Sequence, residues 1–172
     1  MPQIIASSER SQQLQAQLSE SEREAIDKEF HCYPTRQSVC IEALKIVQLH
    51  RGWVSDEAVD AIAAYLLMSP AQVDGVATFY NLIFRQPVGK KVIFLCNSVS
   101  CWLMGYEKLK SQLEKKLNIK FGQTSKDGDF TLLPITCLGD CDHAPALMLN
   151  KQHYGSVDSV KLEKIVDGEL TQ

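Results

Sequence analysis

A chain of 172 residues, 45% of them hydrophobic, can bury a proper core, either as one compact domain or as a helical segment beside a small α/β unit. Its 18 basic and 21 acidic side chains leave a formal charge of −3, which excludes the cationic footprint that nucleic-acid binding requires. No apolar run approaches the roughly 18–20 residues of a transmembrane helix, and the early polar stretch Ser7, Ser8, Glu9, Arg10, Ser11 interrupts any secretory signal, so a soluble chain with reduced thiols is expected.

Residues 1–17, with Gln3, Gln12, Gln13, Gln15 and Gln17, read as a frayed lead-in. Ser19-Glu20-Ser21-Glu22 is a capping-box signature that starts a first helix, with Ile26 and Phe30 on one face and Pro34 closing the segment. A second helix carries Val39, Ala43, Leu44 and Val47 and ends at Gly52. Ser55 caps a third, in which Val54 and Val59 form a hydrophobic staple and Ile62 and Leu66 extend the buried stripe. Ser69-Pro70, with Gln72 completing a capping box, starts a fourth. Two readings stand for the aromatics of Gly75-Val76-Ala77-Thr78-Phe79-Tyr80: core residues, or a packing surface for a partner or the second domain.

After Pro87-Val88-Gly89 the periodicity changes. Lys91 to Cys96 encloses Val92, Ile93, Phe94 and Leu95, a nearly continuous apolar run that predicts a strand covered on both faces. Tyr106, Leu109, Leu113 and Leu117 recur at helical spacing. The Lys110, Lys115, Lys116 and Lys120 cluster, interrupted by Glu114, reads as a solvated helix face in preference to a docking site for an acidic partner. A turn at Lys126-Asp127-Gly128-Asp129 precedes a second strand through Phe130, Leu132 and Leu133 toward Cys137. Leu147 to Leu149 predicts a further short strand. Asp158 caps a last helix with Leu162, Ile165 and Val166 inward and Gly168 beyond. Helices first, then strand, helix, strands and helix, predict a helical bundle followed by a compact α/β domain.

Four of the six cysteines form two close pairs, Cys96-x-x-x-x-Cys101 and Cys137-x-x-x-Cys141, and each pair follows a strand-like segment. Two strand ends carrying such thiols can enclose one small inorganic centre, and four thiolates suit a [2Fe–2S] cluster, with two cysteines per iron. Backbone amides in close loops turn toward the sulfur atoms and stabilise added negative charge. Gly139 allows a positive φ inside the second loop, Asn97, Ser98, Ser100 and Thr136 are candidates to orient the first, and the helix after Cys101 is expected to aim its positive end at the centre. A structural zinc site is the main metal alternative, and the wider Cys96–Cys101 loop favours iron–sulfur over it. Cys32 and Cys40 lack a matching pair and read as buried or partly buried structural residues. His31, His50, His143 and His153 show no catalytic constellation; His143 reads as a solvated loop residue near the second pair.

From about Glu22 to the carboxy terminus the chain resembles the small E-type component of respiratory NADH:quinone oxidoreductase. The likeness rests on Gly75-Val76-Ala77-Thr78-Phe79-Tyr80, Phe84-Arg85-Gln86-Pro87-Val88-Gly89, Cys96 with Cys101, Cys137-Leu138-Gly139-Asp140-Cys141 with Ala144-Pro145, and Leu113-Glu114-Lys115-Lys116-Leu117-Asn118-Ile119-Lys120. The resemblance implies a helical domain over 1–86 and a thioredoxin-like [2Fe–2S] ferredoxin domain over 87–172. It implies one cluster on Cys96, Cys101, Cys137 and Cys141, auxiliary to the main electron path. FMN and NADH would be held by a larger partner subunit, and no Gly-rich nucleotide fingerprint appears in this chain. Further peripheral-arm subunits are implied as neighbours, and a cytoplasmic place on a membrane-bound complex, peripheral to the inner membrane and without a span of its own. A diaphorase subunit of an NAD-linked hydrogenase or formate dehydrogenase uses the same module and stays open. So do a zinc-stabilised interaction protein and a stand-alone thioredoxin-like ferredoxin.

Overall fold

Residues 17–168 are described by a computed structural model, so all of the expected lead-in except Gln17 lies outside the described residues. The chain divides into two compact units, Met1–Pro87 and Val88–Gln172.

In the first unit, helix α1 (Glu20–Glu29) begins at a reciprocal cap: Ser19 Oγ accepts from the Glu22 amide at 3.2 Å, and Glu22 accepts from the Ser19 amide at 2.8 Å. Glu22 also lies in the buried stripe with Ile26, a second role that its capping pattern conceals. Arg51 compensates it with two hydrogen bonds, Nε and Nη2 to the two carboxylate oxygens at 2.7 and 2.6 Å. Burial raises the Glu22 pKa, but the bonds from Arg51 and the Ser19 amide outweigh that and hold it below the usual carboxylate range.

Helix α2 (Cys40–Arg51) is entered through a 3-10 turn, Gln37–Val39, so Val39 precedes the helix in which its spacing had placed it. Helices α3 (Asp56–Leu66) and α4 (Pro70–Phe79) start at Ser55 and Ser69 as expected. Ile26, Leu44, Val47, Ile62, Leu66 and Val73 meet in one apolar core. Arg85 ties its edge, reaching Asp74 at 2.9 Å, Asp56 at 2.6 Å and the Val54 carbonyl. The aromatic pair is not core: Phe79 and Tyr80 are exposed, packed edge to face with centroids 5.2 Å apart. Both follow the last buried position of α4, Ala77, and so run past the stripe.

The second unit is a five-stranded sheet in the order β2-β3-β1-β4-β5, from β1 (Lys91–Cys96), β2 (Gln123–Thr124), β3 (Phe130–Ile135), β4 (Leu147–Leu149) and β5 (Gln152–Tyr154). Only β1 and β3 run parallel; the other pairings are antiparallel. Every residue of β1 from Val92 to Cys96 is buried, as an apolar run in a central strand requires. One short helix, α5 (Val99–Leu103), follows β1. Helices α6 (Tyr106–Leu117) and α7 (Ser159–Asp167) bury Leu109, Leu113, Leu162 and Ile165 against Ile93, Leu95, Leu132 and Leu147. Lys116 joins Asp167 across the two helices at 2.8 Å, and Lys120 pairs with Glu114 at 2.9 Å, so the lysine cluster is in part internally neutralised.

Candidate metal centre

The parallel pairing of β1 with β3 brings both cysteine loops to one edge of the sheet. Cys96 is the last residue of β1 and stands opposite Ile135, the last residue of β3, so Cys137 follows only two residues beyond that register position. The Asn97 amide donates to the Ile135 carbonyl at 2.9 Å, and the Cys96 amide to the Ala146 carbonyl at 3.1 Å. These bonds fix the first thiol between the strand that carries the second loop and the segment that leaves it.

Cys101 lies inside α5, on the turn that folds back over Cys96, and both are buried. The expected longer helix starts at Tyr106, five residues beyond Cys101. Burial pushes the Cys101 thiol up to about 11; a hydrogen bond from the Ala146 backbone opposes this, while the thiol of Cys96 and the charge of Cys141 add to it. Cys137 and Cys141 are exposed. The Cys141 pKa is raised first by its hydrogen bond with Cys137, and a bond from the Ser100 hydroxyl counters the rise. Cys96 and Cys137 thus sit in hydrogen-bonding range of Cys101 and Cys141 respectively, and Ser100 spans from the first loop to the second. Between the pairs, the charge of Cys141 acts on Cys101 and that of Cys96 on Cys141.

Donors from the backbone supplement the set. Gly139 takes φ +81°, the positive value its position suggests, and its amide donates to Cys137 Sγ at 3.3 Å. In the other direction, the Cys96 thiol donates to the Thr136 carbonyl at 3.9 Å. Soft thiols in two close pairs, with amide and hydroxyl donors on their sulfurs, are a donor set that an iron–sulfur centre uses.

Residues 26–169 match the thioredoxin-like [2Fe-2S] ferredoxin family. The chain belongs to that family. It is 48% identical over 150 residues to the E component of NADH-quinone oxidoreductase from Pseudomonas aeruginosa, covering 87% of this chain and 90% of that protein. It is 50% identical over 151 residues to the corresponding NADH-quinone oxidoreductase component of Escherichia coli, covering 88% of this chain and 91% of that protein. A crystal structure of an NAD+-reducing [NiFe]-hydrogenase in the H2-reduced state shares the fold, with a TM-score of 0.62 at 21% identity over 72% of this chain. The ferredoxin spans about a fifth, 21%, of that hydrogenase chain.

Outside the thiols, the Cys137–Cys141 loop carries a constellation that spacing did not single out. Asp140 accepts from His143 Nδ1 at 2.6 Å, which raises the His143 pKa, and its other oxygen faces His153 Nδ1 at 3.7 Å. Among the described residues, the trio of metal-competent atoms within 4.8 Å of one another belongs to Asp140, Asp142 and His143; no three of the thiols approach so closely. Cys40 is buried, its thiol pushed up to about 11 by desolvation. Cys32, by contrast, is exposed, because it falls in the turns after α1 and not on a buried stripe.

Proposed function

We propose that this chain is the electron-transfer subunit of a respiratory NADH:quinone oxidoreductase, holding one [2Fe–2S] cluster on Cys96, Cys101, Cys137 and Cys141. The observation that carries the assignment is the parallel register of β1 with β3, which sets the Cys96 loop and the Cys137 loop beside each other at the same ends of neighbouring strands. A bound cluster supplies one-electron uptake and return. The chain's own groups do the rest. Thiolates hold the irons, while the Gly139 amide, the Ala146 backbone and the Ser100 hydroxyl place positive dipoles against the sulfurs. Burial of Cys96 and Cys101 keeps water from one half of the site, and the exposed Cys137–Cys141 half is the side open to a redox partner.

Zinc on the four thiolates is the alternative centre, and it would bind without sulfide. Zinc and acid-labile sulfide determinations on one sample separate the two.

Near-complete coverage of the NADH-quinone oxidoreductase relatives at about half identity favours the quinone-reducing assembly over the hydrogenase module, whose likeness speaks for the fold alone. FMN and NADH then belong to a larger partner subunit, with further peripheral-arm subunits around it. On this reading a helical domain over 1–86 precedes a cluster-bearing domain over 87–172, one residue from the division of the compact units after Pro87. In such a complex the chain lies on the cytoplasmic side of the inner membrane, and no helix of the described residues is long and apolar enough to cross one. Partner contact is supported by the run Val99, Trp102, Leu103 and Met104, all exposed, on and just after the helix that holds Cys101.

Mixing tests this. NADH is expected to bleach the visible absorption of the anaerobically isolated chain only when the flavin-bearing subunit is added. Bleaching by NADH alone, or none with both present, would contradict the assignment.

A further inference from the structure

Resting on the cluster assignment above, we propose that Asp140 is the positioning residue of the second ligand loop, clasping it to β5 and to the segment that follows so that Cys137 and Cys141 are held in place. These two thiols are exposed, so core packing does not locate them. Asp140 is different: its side chain is only 22% exposed and is turned back into the domain. One carboxylate oxygen accepts from His143 Nδ1 at 2.6 Å, closing the loop on itself two residues past Cys141. The other faces His153 Nδ1 at 3.7 Å, on the edge strand β5.

Gly155 forms the wall behind this clasp. A Cβ there would lie 2.7 Å from His143 Cβ and would strike the Asp140 carboxylate, so only glycine lets the loop seat this deeply. The wall is itself anchored. Lys161 Nζ donates to the Gly155 carbonyl at 2.6 Å, the Ser156 amide donates to the His143 carbonyl, and the Val157 amide donates to that of Pro145 at 3.0 Å. Because Asp140 directly precedes Cys141, a loop freed from this wall moves a ligand thiol without altering any ligand.

The test uses the full chain loaded anaerobically, as wild type, Asp140→Ala, Asp140→Asn and Gly155→Val. Iron release to an excess chelator is followed by absorbance, with reduced-state EPR of each sample. Asp140→Ala is expected to release iron about tenfold faster than wild type, the usual scale for losing a group that orients a metal ligand, with a broadened EPR signal. Asp140→Asn keeps an acceptor oxygen of the same reach and is expected to restore slow release. Gly155→Val, whose Cβ would strike the Asp140 carboxylate and His143, pushes the loop off its wall with Asp140 still present and is expected to resemble Asp140→Ala, with circular dichroism melts of all three apo variants reporting whether each stays folded. Wild-type release rates in Asp140→Ala, or release as fast in Asp140→Asn, would overturn the clasp while leaving the cluster assignment intact. Fast release that tracks loss of folded structure would overturn it too. A wild-type chain that takes up no iron would instead remove the cluster assignment on which the clasp rests.

Discussion

At the scale of single residues, six cysteines separate by what surrounds them. Cys96, Cys101, Cys137 and Cys141 share one sheet edge, whereas Cys40 is packed in helical core and Cys32 lies in an exposed turn. Serine in place of any of the first four is expected to lower iron and acid-labile sulfide per chain by half or more, because a hydroxyl is a poor replacement for a soft thiolate. Cys32→Ser and Cys40→Ala are expected to retain wild-type iron, the latter melting earlier for the lost packing. Chemical iron analysis of the set checks both arms. Glu22 offers a test of a different kind. Its carboxylate is buried and paired with Arg51, so Glu22→Ala strands a cation and removes a cap, costing about 1–3 kcal/mol in urea denaturation at neutral pH. The pairing lowers the folded-state pKa, so its contribution is full above the unperturbed value of 4.5 and fades as the pH falls through the folded value. The gap between wild type and variant should therefore be widest at pH 7 and shrink toward pH 3. A gap that widens in acid would refute this role.

At the scale of elements, what the sequence made legible was whatever an apolar period or a cap announces. The capping boxes at Ser19 and Ser69, the caps at Ser55 and Asp158, and the buried run of β1 all stand where spacing put them. The edge strands did not announce themselves, since β2 is Gln123–Thr124 and β5 contains Gln152 and His153, polar residues held by ladder bonds to β3 and β4. The cysteine pairs were visible as spacing. Their meeting is a consequence of parallel register between β1 and β3, and the Asp140–His153 approach joins residues from separate elements; no local pattern encodes either. Another unannounced feature is the end of α3, where Leu67 caps the helix at φ +58° with 71% of its surface exposed. A leucine in that conformation is strained by about 1–2 kcal/mol, and glycine is not. Leu67→Gly is thus expected to raise the melting temperature of the chain, a net gain below about 1 kcal/mol after the unfolded-state entropy of glycine is counted. A lower melting temperature would contradict that account.

At the scale of the whole molecule, the proposed function depends on handing electrons to and from another protein, so the edge that carries the four cysteines should be covered by that neighbour. Trp102 stands at that edge, 57% exposed and one residue from Cys101, and aromatic anchors of this kind dominate interface energies. Trp102→Glu is expected to weaken association with the flavin-bearing subunit by about 2 kcal/mol or more, roughly 30-fold in affinity, with iron content unchanged. Titration by light scattering or calorimetry reads the first, and iron analysis the second. Unaltered affinity would move the docking face elsewhere.

The functional expectations, unlike the stability tests at Glu22 and Leu67, depend on four thiols holding two irons at one edge of one sheet. Parallel iron, acid-labile sulfide and zinc determinations on the anaerobically purified full chain, joined to EPR after dithionite reduction, test it most directly. Two irons and two sulfides per chain with a rhombic S = 1/2 signal, abolished by replacing one cysteine from each pair, is the outcome the structure leads us to expect. Stoichiometric zinc with no sulfide, or a signal that survives loss of both Cys96 and Cys141, would contradict it.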